Sequence, residues 1–433
     1  MKRLVLFLLV ACAGLFAETV SLDTVFEYAA KNSVGLEMKR LDAEMGKSDV
    51  ESAEADYYPA FNLVYNTEYT ESLDGIPLGT ESVGGITISN GTRYQNSAAL
   101  QMTYSLYTFG ATEKAVLAAR RSAEAAEKER CLKEKELFLQ ILQKYADALK
   151  LAEEMHYKKE MLLLRRKIYA AKERLYKAGH YSKVDLGDEA IYIISLERER
   201  ENASLQYRED LLEISRLSYM PIGFDVTLMP IGEDKSLSET VPFEKTAEAF
   251  VLKKRIEAKK AELDMHERRQ YPSFSMYGNY YLYASDPRRY YYPLRHLHSK
   301  SWNIGFSIRM NLFEGFRDSA KARRLSLELK KAQEAYEEAK HKYLYEGRDR
   351  RTRLDELAVL QKKDEKLREQ NRKKAEMVKR LRKYRKVDLL AQLNAQYELM
   401  ERTLNLEKRK IERAATMMSL KISERGPQQC TQR

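Results

Sequence analysis

The side chains able to hold a metal or attack a substrate are few and dispersed. His296 and His298 stand one residue apart. That spacing lets two imidazoles meet one ion, but a stable site needs further ligands, and no carboxylate cluster lies near the pair. His156, His180, His266 and His341 are scattered singly. There is no phosphate-cradling glycine loop, no nucleophile elbow and no closely spaced cysteine pair. The three cysteines, Cys12, Cys131 and Cys430, are too few for a disulfide framework. Cys131 falls in a helical tract and Cys430 in a tail, so no structural disulfide between them is expected. No catalytic residue, metal site or cofactor is expected, and the remaining signals are charge, periodicity and repetition.

The elements that would position any site are long. The chain has 433 residues, 33% charged and 44% hydrophobic, and its mean hydropathy of −0.59 excludes a bundle of apolar membrane helices of about 20 residues each. Proline is absent between Pro77 and Pro221 and between Pro293 and Pro427. These tracts are rich in Ala, Glu, Lys, Leu and Arg, a composition that predicts very long helices. From Ala111 to Ala178 there is neither proline nor glycine, enough for a helix of roughly 100 Å at about 1.5 Å per residue. Such a helix needs equally long partners. Leu390, Leu393, Tyr397, Met400, Leu404, Ile411 and Met418 supply a heptad-spaced seam for one.

Residues 1–17 read as an export signal: Lys2 and Arg3, an apolar Leu4–Val10, and cleavage after Ala17. A rival reading takes Leu9-Val10-Ala11-Cys12 as a lipidation motif that leaves Cys12 as the modified N-terminus. Net charge is +11, a balance compatible with nucleic acid or an anionic membrane surface. Export argues against nucleic acid. The basic residues are interleaved with Glu along helical tracts, as on solvated helix faces, and are densest over Lys362–Lys386.

The chain repeats itself once. Tyr58-Pro59-Ala60-Phe61 matches Tyr271-Pro272-Ser273-Phe274 (58 to 271, an offset of 213), and Lys183-Val184-Asp185-Leu186 matches Lys386-Val387-Asp388-Leu389 (183 to 386, an offset of 203). Each half reads helix, strand, loop, strand, long helix, turn, helix. The strands alternate. Phe61, Leu63, Tyr65, Thr67 and Tyr69 oppose Asn62, Val64, Asn66 and Glu68, and Ala98, Leu100, Met102, Tyr104 and Leu106 oppose Ala99, Gln101, Thr103 and Ser105. Phe274, Met276, Gly278, Tyr280 and Leu282 oppose Ser273, Ser275, Tyr277 and Asn279, and Trp302, Ile304, Phe306, Ile308, Met310 and Leu312 oppose Asn303, Gly305, Ser307, Arg309 and Asn311. Period two with one apolar face predicts a half-buried sheet.

Segments of about 10 to 13 residues suit a tilted bilayer crossing. Tyr104, Tyr107, Tyr280, Tyr281, Tyr283 and Trp302 suit an interfacial girdle, and Ser72–Tyr94 and Ser285–Lys300 suit outward loops. A globular sandwich is the competing reading. If the sheet is a barrel, Arg309 faces its lumen by alternation. Four strands cannot close; about eight is the practical minimum, and an open edge cannot face lipid. Two chains would supply eight strands and three would supply twelve. An exported coiled-coil rod or adhesin without a pore is the alternative that the helices alone do not exclude.

Together these features resemble the TolC family of outer-membrane efflux proteins over about residues 18–424. Leu106-Tyr107-Thr108-Phe109-Gly110 and Leu312-Phe313-Glu314-Gly315-Phe316 resemble the family's Leu-Phe-Asp-Gly-Gly exit from barrel to helix, each with one of the two glycines. Pro59 and Pro272 resemble its proline where helix passes into strand. The helix before Pro272 aligns about one heptad shorter than that before Pro59. The run Tyr176–Leu186 resembles the family's periplasmic helix–turn–helix tip. There Gly179 stops one helix and Asp185 enters the first turn of the next, where an acid is favoured by the dipole. In the second copy, Lys379–Leu389, Arg382 aligns with Gly179.

The resemblance implies a mixed α and β membrane protein with an internal duplication. Its four strands would join those of a homotrimer in a twelve-stranded outer-membrane barrel, continued by a long α-helical coiled-coil barrel in the periplasm. The implied division is a signal peptide (1–17), a first repeat (18–219; strands about 59–71 and 95–109, tip about 176–186), an equatorial connection (220–244), a second repeat (245–424; strands about 272–284 and 301–313, tip about 379–389) and a tail (425–433). The implied function is a passive outer-membrane duct for a tripartite efflux pump or type I secretion. A periplasmic adaptor would open it at the tip and couple it to an inner-membrane transporter. Outer-membrane lipid would surround the barrel, and no nucleic-acid partner is implied. Asp388 matches an acid of the family's closed entrance, whereas a second such acid falls at Ala391. Asp185 matches a gate-linking acid whose arginine partner falls at Tyr384, flanked by Lys383 and Arg385. A latch from Asp185 to one of these is one expectation, and simple helix N-terminal roles for both aspartates are the other. The basic tract Lys362–Lys386 would meet an acidic adaptor surface or simply face solvent.

Overall fold

A computed structural model describes residues 19–69, 82–83, 86–87, 94–232, 241–286 and 289–424. The signal segment with Cys12, most of the Ser72–Tyr94 loop, residues 233–240 of the connection, residues 287–288 and the tail with Cys430 lie outside them. In chain order the first copy contains β1 (Thr19–Val20), α1 (Leu22–Asn32), α2 (Val34–Ala55), β2 (Ala60–Tyr69), β3 (Ser82–Val83), β4 (Ile86–Thr87), β5 (Tyr94–Tyr107), α3 (Ala111–Lys177) and α4 (Lys183–Ser218). The connection holds β6 (Thr227–Leu228). The second copy follows with a 3-10 turn at Phe243–Lys245, α5 (Ala247–Arg268), β7 (Ser273–Asp286), α6 (Tyr291–Arg295), β8 (Ser299–Arg309), α7 (Arg317–Lys383) and α8 (Leu389–Ser423).

The duplication is close at the level of elements. Each long helix has 67 residues. From α3 onward the copies are offset by a constant 206 positions (111 to 317, 177 to 383, 183 to 389). Helices α2 and α5 have 22 residues each, so the helix before Pro272 is not a heptad shorter than its counterpart. The first copy merely prefixes it with α1. Ser33 separates α1 from α2, with extended backbone and its N–H bonded to the Ala29 carbonyl.

Two compact units form. One draws on the described parts of residues 1–40, 128–250 and 338–433. Ser21 caps α1 by accepting the Thr24 N–H at 3.1 Å. Leu22, Val25, Phe26 and Ala29 then share a face, spaced as a buried helix stripe requires. They pack with Ile141, Leu142 and Tyr145 of α3, Leu211 and Ile214 of α4, and Ile422 of α8. β1 pairs in parallel with β6. The Tyr145 hydroxyl lies 2.8 Å from the Val20 carbonyl and 2.7 Å from that of Met229, and burial raises its pKa. A second core joins Met161, Leu164 and Ile168 of α3 to Leu196 of α4 and to Leu390, Leu393 and Tyr397 of α8.

The other unit comprises the described parts of residues 41–127 and 251–337. Its centre is an antiparallel sheet in the order β2-β5-β7-β8, so the strand pair of each repeat meets the other along β5 and β7. A separate short ladder pairs β3 with β4.

Within the helices, Cys131 is disulfide-bonded. Its partner lies outside the described residues. An exported chain meets oxidising conditions that permit such a bond, and position on a helix does not shield a half-buried thiol from other segments.

Candidate functional site

The sheet register turns the alternation of single strands into two continuous faces. Leu63, Leu100, Tyr280 and Trp302 stand side by side across all four strands, as do Phe61, Met102, Gly278 and Ile304. Tyr104, Met276 and Phe306 extend this apolar face. In the single chain it is bare: Leu63 is 78%, Trp302 73% and Phe306 74% exposed. A contiguous apolar patch of this extent marks a surface that meets something other than water. The opposite face carries the row Asn62, Gln101, Asn279 and Asn303 and the row Ser105, Ser275 and Ser307. Asn279 Nδ2 donates to Asn303 Oδ1 at 2.8 Å. Arg309 pairs with Ser273 on this polar face. Tyr281 and Tyr283 also belong to it by register, so among the girdle tyrosines only Tyr104, Tyr280 and the strand-end Tyr107 remain candidates for the apolar side beside Trp302. Among the described residues β2 and β8 each pair on one side only, which leaves two open edges.

The strand–helix junctions repeat as well. Pro59 and Pro272 each stand immediately before a first strand, where a fixed φ suits extended backbone. At the exits, Phe109 (φ 52°) and Gly110 (φ 81°) match Gly315 (φ 64°) and Phe316 (φ 66°). Both positions of both exits are therefore left-handed, and each copy keeps a glycine at a different one of the two. The first exit is braced. Arg268, at the end of α5, donates from Nη1 to the Phe109 carbonyl at 3.0 Å. A Cβ on Gly110 would lie 2.4 Å from that nitrogen. A Cβ on Gly315 would meet nothing within 4 Å. Phe109 also stacks on Tyr271, with ring centroids 5.6 Å apart.

Both tips end their long helix in the same way. Gly179 (φ 77°) follows α3, the His180 N–H bonds to the Leu175 carbonyl, and the Gly179 N–H bonds to that of Tyr176. This is the glycine-terminated helix cap in which two stranded carbonyls are satisfied. In the second copy Arg385 (φ 56°) takes the left-handed position, with Lys386 N–H to the Leu381 carbonyl and Arg385 N–H to that of Arg382. Arg385, not Arg382, is therefore the counterpart of Gly179. Arg382 lies inside α7 and donates to Gln392 Oε1 at 2.7 Å.

The return helices correct the alignment in the same direction. Ser182 caps α4 and forms a reciprocal pair with Asp185: the Asp185 N–H bonds to Ser182 Oγ at 3.1 Å, and the Ser182 N–H bonds to Asp185 Oδ2 at 2.9 Å. Hydrogen bonds from the Ser182 hydroxyl and backbone hold the Asp185 carboxyl below its ordinary pKa. In the second copy Asp388 itself is the cap, accepting the Ala391 N–H at 2.8 Å. The two Lys-Val-Asp-Leu runs are thus three residues out of structural step. Asp185 binds its own helix, and among the described residues it forms no hydrogen bond or ion pair with Lys383, Tyr384 or Arg385.

Sequence reading missed a cluster just behind the tips. The Arg165 guanidinium of α3 lies 4.0 Å from the ring centroids of both Tyr192 (α4) and Tyr397 (α8), whose hydroxyls are 2.7 Å apart. Glu189, 4% exposed, accepts from Lys172 at 2.8 Å and from Arg165 at 3.4 Å. The cluster joins elements of both repeats, and its members are too far apart in sequence for spacing to suggest it. The Ser182-x-x-Asp185 cap, by contrast, was a readable motif.

Residues 25–218 match the family described as outer membrane efflux protein. No curated protein sequence matches the chain. Among solved structures, VceC of Vibrio cholerae superposes with a TM-score of 0.76 at 17% identity, covering 94% of this chain and 96% of that one. The CmeC outer membrane channel of Campylobacter jejuni gives 0.79 at 14% identity over 93% and 85%. The open-state MtrE outer membrane channel of Neisseria gonorrhoeae gives 0.73 at 15% identity over 94% and 89%. At such identities the likeness is one of fold. Over residues 25–218 the chain thus resembles the outer membrane efflux protein family, and its fold, through both repeats, is that of the solved outer membrane channels.

Proposed function

We propose that three copies of this chain close their four-stranded sheets into one twelve-stranded barrel in the outer membrane and form a passive efflux duct. The observation that carries the reading is the sheet: a bare apolar face, a polar face behind it, and two unpaired edges in one chain. Edge strands in lipid require partners, because unsatisfied backbone groups have no water to turn to. Pairing β2 of one copy with β8 of the next satisfies every edge through closed symmetry. Arg309 and the asparagine row then line water, and Trp302 and Tyr280 meet the lipid interface. The long helices continue the duct into the periplasm. A periplasmic adaptor engages the tips, opens them and links the duct to an inner-membrane transporter, in a tripartite pump or in type I secretion.

Purified mature protein in detergent, weighed by light scattering and then placed in a planar bilayer, tests this. A trimer mass with discrete single-channel conductance is expected. A water-soluble monomer that gives no conductance overturns the duct and returns the chain to the class of exported coiled-coil rods.

A further inference from the structure

Cys131 carries a disulfide, and the chain has only two other cysteines, Cys12 and Cys430. Either reading of the N-terminus disqualifies Cys12. Cleavage after Ala17 removes it, and lipidation turns its thiol into a thioether. This elimination needs export alone, neither a trimer nor a duct.

The end of α8 is pinned close to Cys131. Arg350 of α7 donates to Ser423 Oγ at 2.8 Å, and Arg351 donates to the buried Glu424 carboxylate at 2.8 Å. Glu424 lines a cavity of about 690 Å³ together with Leu132 and Lys135 of α3, Tyr343 of α7 and Leu420 of α8. Leu132 is the chain neighbour of Cys131. Leu132, Lys135 and Glu248 also line a smaller hollow that Cys131 itself borders, so the two hollows adjoin between Glu424 and the Cys131 position. A cavity of that volume is about 9 Å across (the cube root of 690). The chain from Glu424 to Cys430 is six residues long (424 to 430), a reach of roughly 20 Å when extended. Gly426 and Pro427 follow α8 directly, a pair suited to ending a helix and turning the chain.

We infer that Cys430 is the partner of Cys131, and that residues 425–430 are thereby held across this cavity as a clasp between α8 and α3. Its formation takes two electrons and two protons from the two thiols. A disulfide-bearing thiol oxidant met after export accepts them: its S–S bond breaks into two thiols as the Cys131–Cys430 bond forms. Lys135 lies one turn along α3 from Cys131 and lines the same hollow, a cation placed to favour the attacking thiolate. The closed loop contains the rest of α3, all of α4 and the whole second repeat. A crosslink over so long a loop restricts the unfolded chain more than a short one does, and it fastens the end of the second repeat to the long helix of the first.

The test uses full-length mature protein, produced with export, purified in detergent without reductant and blocked with iodoacetamide. Trypsin cleavage after Arg130, Lys133 and Arg425 should leave Cys131-Leu132-Lys133 joined to Gly426–Arg433, a pair that mass spectrometry finds before reduction and not after it. The variant C430S should lose the pair and melt several degrees lower, and its amide exchange over Leu420–Glu424 should be several-fold faster. Reducing the folded parent should reproduce both changes, which gives the same comparison without a substitution if C430S fails to fold. An alkylated Cys131 in the unreduced parent, a Cys131 pair between two copies, or a small-thiol adduct on Cys131 would each overturn the assignment. Unchanged melting and exchange on losing the bond would overturn the clasp. Conductance of the parent bears on the duct alone.

Discussion

Replacing Gly110 by alanine should destabilise the strand unit far more than replacing Gly315, although both glycines occupy the same kind of turn. A Cβ in left-handed backbone costs about 1–2 kcal/mol, and both variants incur it. Only at Gly110 does the new methyl stand where Arg268 Nη1 lies, 2.4 Å away. Arginine is flexible and will swing aside, but its hydrogen bond to the Phe109 carbonyl is then lost, at about 1.5–3 kcal/mol for a charged donor. Gly110→Ala should therefore cost about 2.5–5 kcal/mol and Gly315→Ala about 1–2. In an Arg268→Ala background the Gly110 penalty should fall to the backbone value alone, because neighbouring substitutions that share a partner are not additive. Urea unfolding in detergent, followed by the single tryptophan Trp302 in β8, reports on this sheet. Equal penalties at the two glycines, or additivity with Arg268→Ala, would falsify the bracing role.

Three further outcomes are expected. Burial pushes the Glu154 pKa up, but hydrogen bonds from Lys158 and Lys408 hold it below its ordinary value. Its contribution is thus present above the unfolded carboxylate pKa of about 4.3 and is lost as pH falls through the lowered folded value. The melting temperature of Glu154→Gln should lie below the parent's at pH 7 and converge with it in acid; curves that stay parallel would exclude the linkage. Ser182→Ala and Asp185→Ala should each speed amide exchange over 183–186 without altering α8, and unchanged protection would mean that the capping pair is idle. Cys131 should resist alkylation until the mature protein is reduced, and labelling without reductant would show that the bond does not form.

Parts of the architecture were legible because their periods are short. Alternation along each strand follows from the pleat alone, and the observed register aligns Leu63, Leu100, Tyr280 and Trp302 as that pattern requires. The heptad residues Leu390, Leu393, Tyr397 and Leu404 are buried for the equivalent reason in a helix. The tips were misaligned because identical letters outweighed capping chemistry. Ser182 supplies a hydroxyl cap one residue before Lys183, whereas Asp388 caps α8 by itself, so the second Lys-Val-Asp-Leu run begins before its helix does. The girdle tyrosines were misassigned where adjacent aromatics, Tyr280 and Tyr281, necessarily point to opposite faces. Arg268 and Arg165 were invisible because their partners are set by the fold rather than by local spacing; Arg268 meets a carbonyl 159 residues earlier in the chain.

The equal length of α3 and α7, 67 residues each, constrains how such a gene can drift. Losing a single codon from either rotates every later side chain by about 100° and draws its end back by about 1.5 Å, while its twin stays in place. Insertions and deletions are therefore tolerable only in matched pairs and in multiples that restore the seam. The numerical identity of the two rods, persisting after their sequences have diverged, is the imprint of that shared yardstick.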